Sequence, residues 1–524
     1  MSQRIPKNHS LDINSFYNCA FYAIILLAIT LGLIGLNKGL WNDEIATVIK
    51  ISHQNLDDMF ERLKKDVHPP LYYVLLYFWG KISKQEEFLR LFSLLFSVGT
   101  LLVVMKWIKQ YSTLGSLIAG LYLATTPIIL RYSQELKAYS LVIFATSLAF
   151  LFAFHIISNP DKYLGYIGLS LSLTAAVSSH LVGVMVIPAI LFFIVIQTFL
   201  SNKNIKLLKL GLAIIVPVVT SIYLKFFWLN QVQEIKDTWW WMPTVNLHLI
   251  SSTTKYLFGF SYLQLSINFI PWFAFIFSAM LATSFLFGEW KISFPFLATA
   301  LFFWLEILIY SIIDSPIFYY RILLPGLIPF AAFIGLQIAT IPKKKIKIAS
   351  IVCLLLLTIS YSVNWISNQA YKPIEQNRAV AQLVESEWQG NGLVIYHPTW
   401  IQEFVNYYLT NVPPEQQITA GQLEKISNFD FNSKELNISF IALTGNVKDY
   451  SNLLSNILGA IKSKKLTTLK INIFLIKGHD SYFSKKFDDS EKFILNSESK
   501  LGKPYFYQDF GQHVISKYTV SLNN

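Results

Sequence analysis

The chain has 524 residues, of which 53% are hydrophobic and only 14% charged. A soluble protein of this length carries about a quarter charged residues, so an ordinary soluble domain is excluded. The net charge of +12 would suggest nucleic acid in a soluble protein, but here the lysines lie mostly in short stretches between apolar runs, where they act as topology signals. Cys19 and Cys353 both sit in apolar runs and give neither a disulfide framework nor metal spacing.

Residues 1–15 are polar and carry Arg4 and Lys7. Phe16 to Leu36 is apolar, too long for a signal-peptide core and followed by no small-residue cleavage site. It reads as an uncleaved first span with the N-terminus in the cytoplasm and Asp43-Glu44 outside. Leu40-Trp41-Asn42-Asp43-Glu44 opens a polar outer loop over residues 39–86, completed by Asp66-Val67-His68-Pro69-Pro70-Leu71-Tyr72-Tyr73. Two adjacent carboxylates at the end of a span are either a flanking charge pair or a site, and Trp41 and the His-Pro-Pro return favour the site. Within the loop, Ile45, Val48, Ile49, Leu56, Met59, Phe60 and Leu63 recur at helical spacing and predict a helix on the membrane surface. Leu71–Ile82 is apolar but too short to cross, and Pro69-Pro70 suits its N-terminus.

Further spans are expected at about 87–107, 113–131, 136–157, 161–179, 182–200, 208–229, 267–288, 293–313, 322–341 and 347–367, about eleven in all. With Leu71–Ile82 not crossing, Lys106, Lys109, Lys162, Lys203, Lys206, Lys209, Lys291, Lys343, Lys344, Lys345 and Lys347 all fall on the cytoplasmic side. Two more polar clusters then join Asp43 and Glu44 outside: Arg131 to Tyr139, and Asp314 to Arg321. The longest remaining outer loop, from about Asn230 to Ser266, carries Trp239-Trp240-Trp241, more an interfacial belt than a sugar platform. Glu306 lies inside a span, where a carboxylate is either functional or a bond between helices. His180 at a span end reads as interfacial. From about Tyr371 polar residues become frequent. Strands at Gly392–Tyr396, Ile438–Leu443 and Leu469–Ile476, with helices at Trp400–Leu409 and Asn452–Lys462, predict a small C-terminal α/β domain. The division is a transmembrane domain over residues 1–370 and an extracytoplasmic domain over residues 371–524.

Trp41-Asn42-Asp43-Glu44, His68-Pro69-Pro70-Leu71-Tyr72-Tyr73, Leu89-Arg90-Leu91-Phe92-Ser93, Tyr132-Ser133-Gln134-Glu135-Leu136-Lys137-Ala138-Tyr139 and Tyr319-Tyr320-Arg321-Ile322-Leu323-Leu324-Pro325 occur in that order. The ordered set resembles the GT-C membrane glycosyltransferases of the family 39 type, which include protein O-mannosyltransferases and lipid A aminoarabinose transferases. The resemblance covers about Phe16 to Thr340. The fourth motif commonly ends in Glu-Ala-Arg-x-Tyr, and here Lys137 stands for the arginine, keeping the charge without the planar fork.

The resemblance implies transfer of a sugar from a polyprenyl-phosphate donor to an acceptor hydroxyl on a protein, glycan or lipid, by inverting displacement at the outer face of the plasma membrane. It implies Asp43 as base, and Glu44 or Glu135 to orient acceptor or sugar. Arg321, Lys137 and Arg131 would hold the phosphate. Tyr139 and Tyr320 complete the binding set with His68, and Arg90 either joins it or braces the outer helices. No cofactor is expected, although His68 with Asp43 and Glu135 could hold a divalent cation. The rival class is a transporter or flippase of lipid-linked sugars, which would show inverted repeats and broken spans that the sequence lacks. A structural scaffold comes third.

Overall fold

The computed structural model describes residues 8–53, 55–64, 66, 68–239, 242–262, 282, 290–370, 377–387, 392–397, 401–411, 417–419, 435–442, 470–478, 506–509 and 513–521. The chain divides into two compact units, Met1–Asn37 with Thr47–Tyr371, and Lys38–Ala46 with Lys372–Asn524.

The first unit is helical and built for a membrane. α1 (Asn8–Leu33) leads to α2 (Asn42–Ile51), α3 (Leu56–Leu63) and α4 (Leu71–Gly80), then to α5 (Glu86–Ile108), α6 (Thr113–Thr125) and α7 (Pro127–Ser133). α8 (Tyr139–Ser158), α9 (Tyr163–Ser179), α10 (Gly183–Ser201), α11 (Leu207–Trp239) and α12 (Leu247–Leu257) follow, then α13 (Trp290–Ile313), α14 (Leu327–Ala339) and α15 (Lys344–Asn364). Among the described residues seven helices are long and apolar enough to cross, or eight with α6 and α7 taken as one span bent by 65° at Thr126. Pro127 forces that bend, since it lacks the N–H that would continue the helix. The protein is a multi-pass membrane protein.

Several expectations change in detail. The surface helix expected over Ile45–Leu63 is two helices, because Asn55 caps a new start and accepts from Asp58 N at 2.8 Å. The span expected at 322–341 is the 13-residue α14 behind a 3₁₀ turn at Leu324–Gly326. At about 1.5 Å per residue α14 is too short for a bilayer, and it is buried from Leu327 to Ile338, so its neighbours rather than lipid take its apolar surface. α9, at 17 residues, is also short. α11 runs on past the expected end at about 229. The expected span at 267–288, the Trp239–Trp241 side chains and the expected helix at Asn452–Lys462 lie outside the described residues.

The core knits α5, α8, α10 and α13 through rings: Trp107 stacks on Phe150 at 6.1 Å, and Phe193 touches both Phe150 and Phe296 at 5.1 Å. α6 and α14 approach backbone to backbone, and a Cβ on Gly335 would lie 2.3 Å from the Gly115 carbonyl oxygen. Small residues permit such contact between membrane helices.

These contacts sort the unit into two ends. At one end Lys109 Nζ sits 3.8 Å over the Tyr17 ring, Lys209 Nζ donates to the Asp161 carbonyl at 2.8 Å, and Ser293 donates to Gln337. At the other end α1 finishes under three buried donors. Trp365 Nε1 donates to Leu31 O at 3.0 Å, Gln134 Nε2 to Gly32 O at 2.9 Å and Ile34 O at 2.6 Å, and Arg90 Nη1 to Leu36 O at 2.6 Å. They satisfy two carbonyls of the last helical turn, Leu31 and Gly32, and two of the turn that follows, Ile34 and Leu36. Gly35 has φ +80°, and a Cβ there would sit 2.0 Å from the Ala370 carbonyl oxygen, so only glycine fits.

In the second unit the described strands are β1 (Gly392–His397), β2 (Gln417–Thr419), β3 (Glu435–Ala442), β4 (Lys470–Gly478), β5 (Phe506–Asp509) and β6 (His513–Ser521). They form one mixed sheet in the order β2-β1-β3-β4-β6-β5. β2, β1, β3 and β4 are parallel, with Leu393 opposite Ile438 and Ile438 opposite Ile473, while β4, β6 and β5 are antiparallel. Helices α16 (Asn377–Glu387) and α17 (Ile401–Asn406) belong to the same unit.

Candidate active site

The end of the membrane unit that carries Gln134 also gathers four chain segments: residues 66 and 68–73, 131–139, 180 and 319–321. Asp66 is the anchor. Its Oδ2 pairs with Lys50 of α2 and accepts from the Tyr73 hydroxyl of α4 at 3.4 Å. Its Oδ1 lies 2.8 Å from His68 Nδ1. Burial raises the Asp66 carboxyl, but His68, Lys50 and Lys137 outweigh burial and hold it well below the usual carboxylate range. Asp66 is therefore an ionised acceptor, His68 Nδ1 carries the donated proton, and Nε2 is left for other work.

His68 meets His180, their rings 5.7 Å apart, and His180 meets Tyr139 at 5.1 Å. His180 Nδ1 accepts from Val182 N at 3.1 Å. Burial, with His68, Arg321 and Lys137 nearby, pushes the His180 imidazole well below its ordinary range, so it is neutral with its proton on Nε2. The expectation that His180 is merely interfacial gives way to a buried place inside the cluster.

Three cations complete the site. Lys137 is 5% exposed and its charge acts on both Asp66 and His180. Arg321 Cζ lies 6.0 Å from the Tyr139 ring centre and 5.6 Å from that of Tyr319. Arg131 Cζ lies 5.9 Å from both Tyr132 and Tyr320, and its Nε is 3.8 Å from Glu135 Oε2. Tyr320 also stacks on Tyr256 of α12 at 5.1 Å. Guanidinium groups at about 6 Å from aromatic faces gain cation–π attraction. The motif that brings Glu135 and Lys137 here is held from below: Tyr72 OH is 3.1 Å from Ser93 Oγ, which donates to the Glu135 carbonyl at 2.7 Å.

Not every residue predicted for the site is in this cluster. Arg90 is fully buried and braces the end of α1, the second of the two settings its sequence position allowed. Asp43 and Glu44 belong to the other unit. Glu44 is 1% exposed, at the third position of α2, and its Oε2 lies 3.4 Å from the Trp41 N–H, as in a capping box. Asp43 beside it is half-buried. Arg321, expected to begin a span, sits in a turn ahead of Leu324–Gly326. Glu306 lies within α13, and its buried Oε1 has no hydrogen-bond partner among the described residues. Among the described residues no three His, Cys, Asp or Glu side chains are grouped as a metal site requires. Asp66, Lys50, Tyr132, Tyr256 and Tyr319 join the cluster without having been assigned a role from sequence. Asp66, two residues before His68, and Tyr132 and Tyr319, each inside a quoted motif, had a local signal.

Residues 67–223 match the family model described as dolichyl-phosphate-mannose-protein mannosyltransferase. That match spans the His68, Arg90, Glu135 and Lys137 motifs. A comparison with curated proteins gives no significant match. Among solved structures, apo ArnT from Cupriavidus metallidurans aligns with TM-score 0.54 at 11% identity, over 96% of this chain and 98% of that one. The protein has the GT-C fold of membrane glycosyltransferases. ArnT from the same organism bound to undecaprenyl phosphate aligns with TM-score 0.50 at 12% identity, over 95% of this chain and 97% of that one.

Proposed function

We propose that the protein transfers a sugar from a polyprenyl-phosphate donor to an acceptor hydroxyl. The observation that carries the reading is the convergence of Lys137, Arg131 and Arg321 with Tyr132, Tyr139, Tyr319 and Tyr320 at one end of the membrane unit. Lys137 is buried and Arg131 and Arg321 are half-buried, and three cations gathered at a membrane boundary favour an anionic ligand. A phosphate attached to a lipid tail is an anion that reaches this depth from the bilayer, and the tyrosine faces suit a sugar ring. The binding of undecaprenyl phosphate by the structurally similar ArnT supports this class of donor.

In the proposed step the acceptor oxygen attacks the anomeric carbon as the bond from that carbon to the phosphate oxygen breaks. The hydroxyl proton passes to Asp43, which keeps the role of base on the sequence argument, and polyprenyl phosphate leaves as its dianion. Arg321, Lys137 and Arg131 stabilise the charge that builds on the leaving phosphate. Direct displacement inverts the anomeric centre. Glu135 would orient acceptor or sugar. The lysines gathered at the opposite end of the unit favour an outer-face site under the positive-inside rule, with the N-terminus cytoplasmic and the C-terminal unit extracytoplasmic.

The test is incubation of purified protein with a panel of polyprenyl-phosphate sugars, following release of polyprenyl phosphate and the anomeric configuration of the product. At least one donor should be consumed with inversion. Intact donors across the panel, with every lipid bound yet none cleaved, would instead favour a transporter.

A further inference from the structure

The short segment Lys38–Ala46 is folded into the same unit as the C-terminal region, and its hydrogen bonds show how it is held. Asn377 Nδ2, at the start of α16, donates to Asn42 Oδ1 at 2.9 Å in a buried contact. The Leu40 N–H donates to the Tyr408 hydroxyl at 2.7 Å. Arg378 Cζ lies 5.4 Å from the Tyr408 ring centre, and a Cβ on Gly39 would lie 3.1 Å from the Arg378 Cβ. Trp41 and Glu44 close the first turn on themselves, with Glu44 N donating to Trp41 O at 2.9 Å and Trp41 N facing Glu44 Oε2 at 3.4 Å.

Asp43 is thus flanked by two pinned neighbours, Asn42 tied to Asn377 and Glu44 tied to the Trp41 backbone. Its own side chain is half-buried. Asn377 is buried, and its Oδ1 has no hydrogen-bond partner among the described residues.

We propose that Asn377 and Tyr408 are positioning residues for Asp43. The inference rests on the reading of Asp43 as base. A base displaced by an ångström loses much of its rate advantage, on the order of a hundredfold at the extreme, while donor binding need not change.

The test uses the full chain carrying Tyr408→Phe, Asn377→Ala, Asn42→Ala, the Asn42→Ala/Asn377→Ala pair, Asn377→Asp and, as reference, Asp43→Asn. Polyprenyl-phosphate release gives kcat and KM, and donor-binding titration gives the folded fraction. Tyr408→Phe should lower kcat per folded molecule about tenfold with donor affinity within about twofold. The double variant should be no worse than its more severe single, because both remove one bond. Asn377→Asp should move the acid limb of the kcat/KM profile to higher pH, since a carboxylate against Asn42, the residue before Asp43, disfavours the ionised form of Asp43. Normal kcat in Tyr408→Phe and Asn377→Ala, an acid limb that does not move, or a fall in rate explained by lost folded protein would overturn the inference. Turnover in Asp43→Asn would instead remove the base assignment itself, so the two failures are separable.

Discussion

The two ends of the membrane unit use the same residue types in opposite ways. At one end Lys109 lies over Tyr17 at 3.8 Å and Lys209 over Tyr163 at 3.9 Å. Lys109 is exposed and Lys209 half-buried, with its ammonium on a carbonyl. At the other end Lys137 is buried, and Arg131 and Arg321 sit among tyrosines and two histidines. A snorkelling lysine keeps its hydration and costs little. A buried one forfeits water and is retained where something else needs the charge. Cation–tyrosine proximity alone therefore says little about function, and burial together with convergence from distant segments says more.

The sharpest way to break this contrast is to remove the buried charge. Lys137→Met should lower kcat/KM for a polyprenyl-phosphate sugar on the order of a hundredfold, and Lys137→Arg should retain most of the activity. A Lys137→Met protein with near-normal kcat/KM would mean that the buried cation serves the fold. Next in size, Asp66→Asn leaves Lys50 and His68 without their carboxylate, and should lower turnover about tenfold and stability by about 3 kcal/mol. Thermal unfolding and rate assays on the same preparation check both. The sign follows from its depressed native pKa: the contribution is complete above the unfolded value of 3.8 and is lost as pH falls through the native value.

His180 offers a smaller, pH-dependent effect. Its native pKa lies below the ordinary 6.5, so the unfolded chain takes up a proton first as pH falls and stability declines below about 6.5. Unfolding midpoints at about pH 7.5 and 5.5 should differ less in His180→Phe than in wild type, and equal differences would mean that His68, Asp66, Lys137 and Arg321 set the slope without it. The smallest effect belongs to the opposite end. Lys109→Ala and Lys209→Ala should leave kcat/KM within about twofold, as expected for exposed or snorkelling cations.

How much was legible in the sequence differs between the parts. The spans were readable because bilayer thickness fixes the length of an apolar run. Pro127 and the buried α14 were misjudged because hydropathy cannot separate lipid contact from helix contact. The motifs at His68, Glu135, Lys137 and Arg321 were visible as polar residues at span ends. Lys50 and Tyr256 were not, and His180 was seen at a span end without a place in the site, since only the folded chain brings them to Asp66, His68 and Tyr320. Arg90 and Gln134 were visible as motif residues, but their bonds to Leu36, Gly32 and Ile34 cross long stretches of chain. The strands at Gly392, Ile438 and Leu469 announced themselves by apolar content, whereas β2, β5 and β6 did not. The tie between Asn42 and Asn377 spans more than three hundred residues and carries no local pattern.

The central claim is that this cluster holds a lipid-linked phosphate, and Arg321 tests it most directly. The measurement is transfer rate against polyprenyl-phosphate sugar concentration for wild type, Arg321→Ala and Arg321→Lys. The account predicts that Arg321→Ala raises KM and lowers kcat together, because the contact strengthens as charge moves onto the phosphate. Arg321→Lys should fall between, keeping charge without the planar fork. Three superimposable curves would contradict the account and leave Arg321 as a membrane anchor.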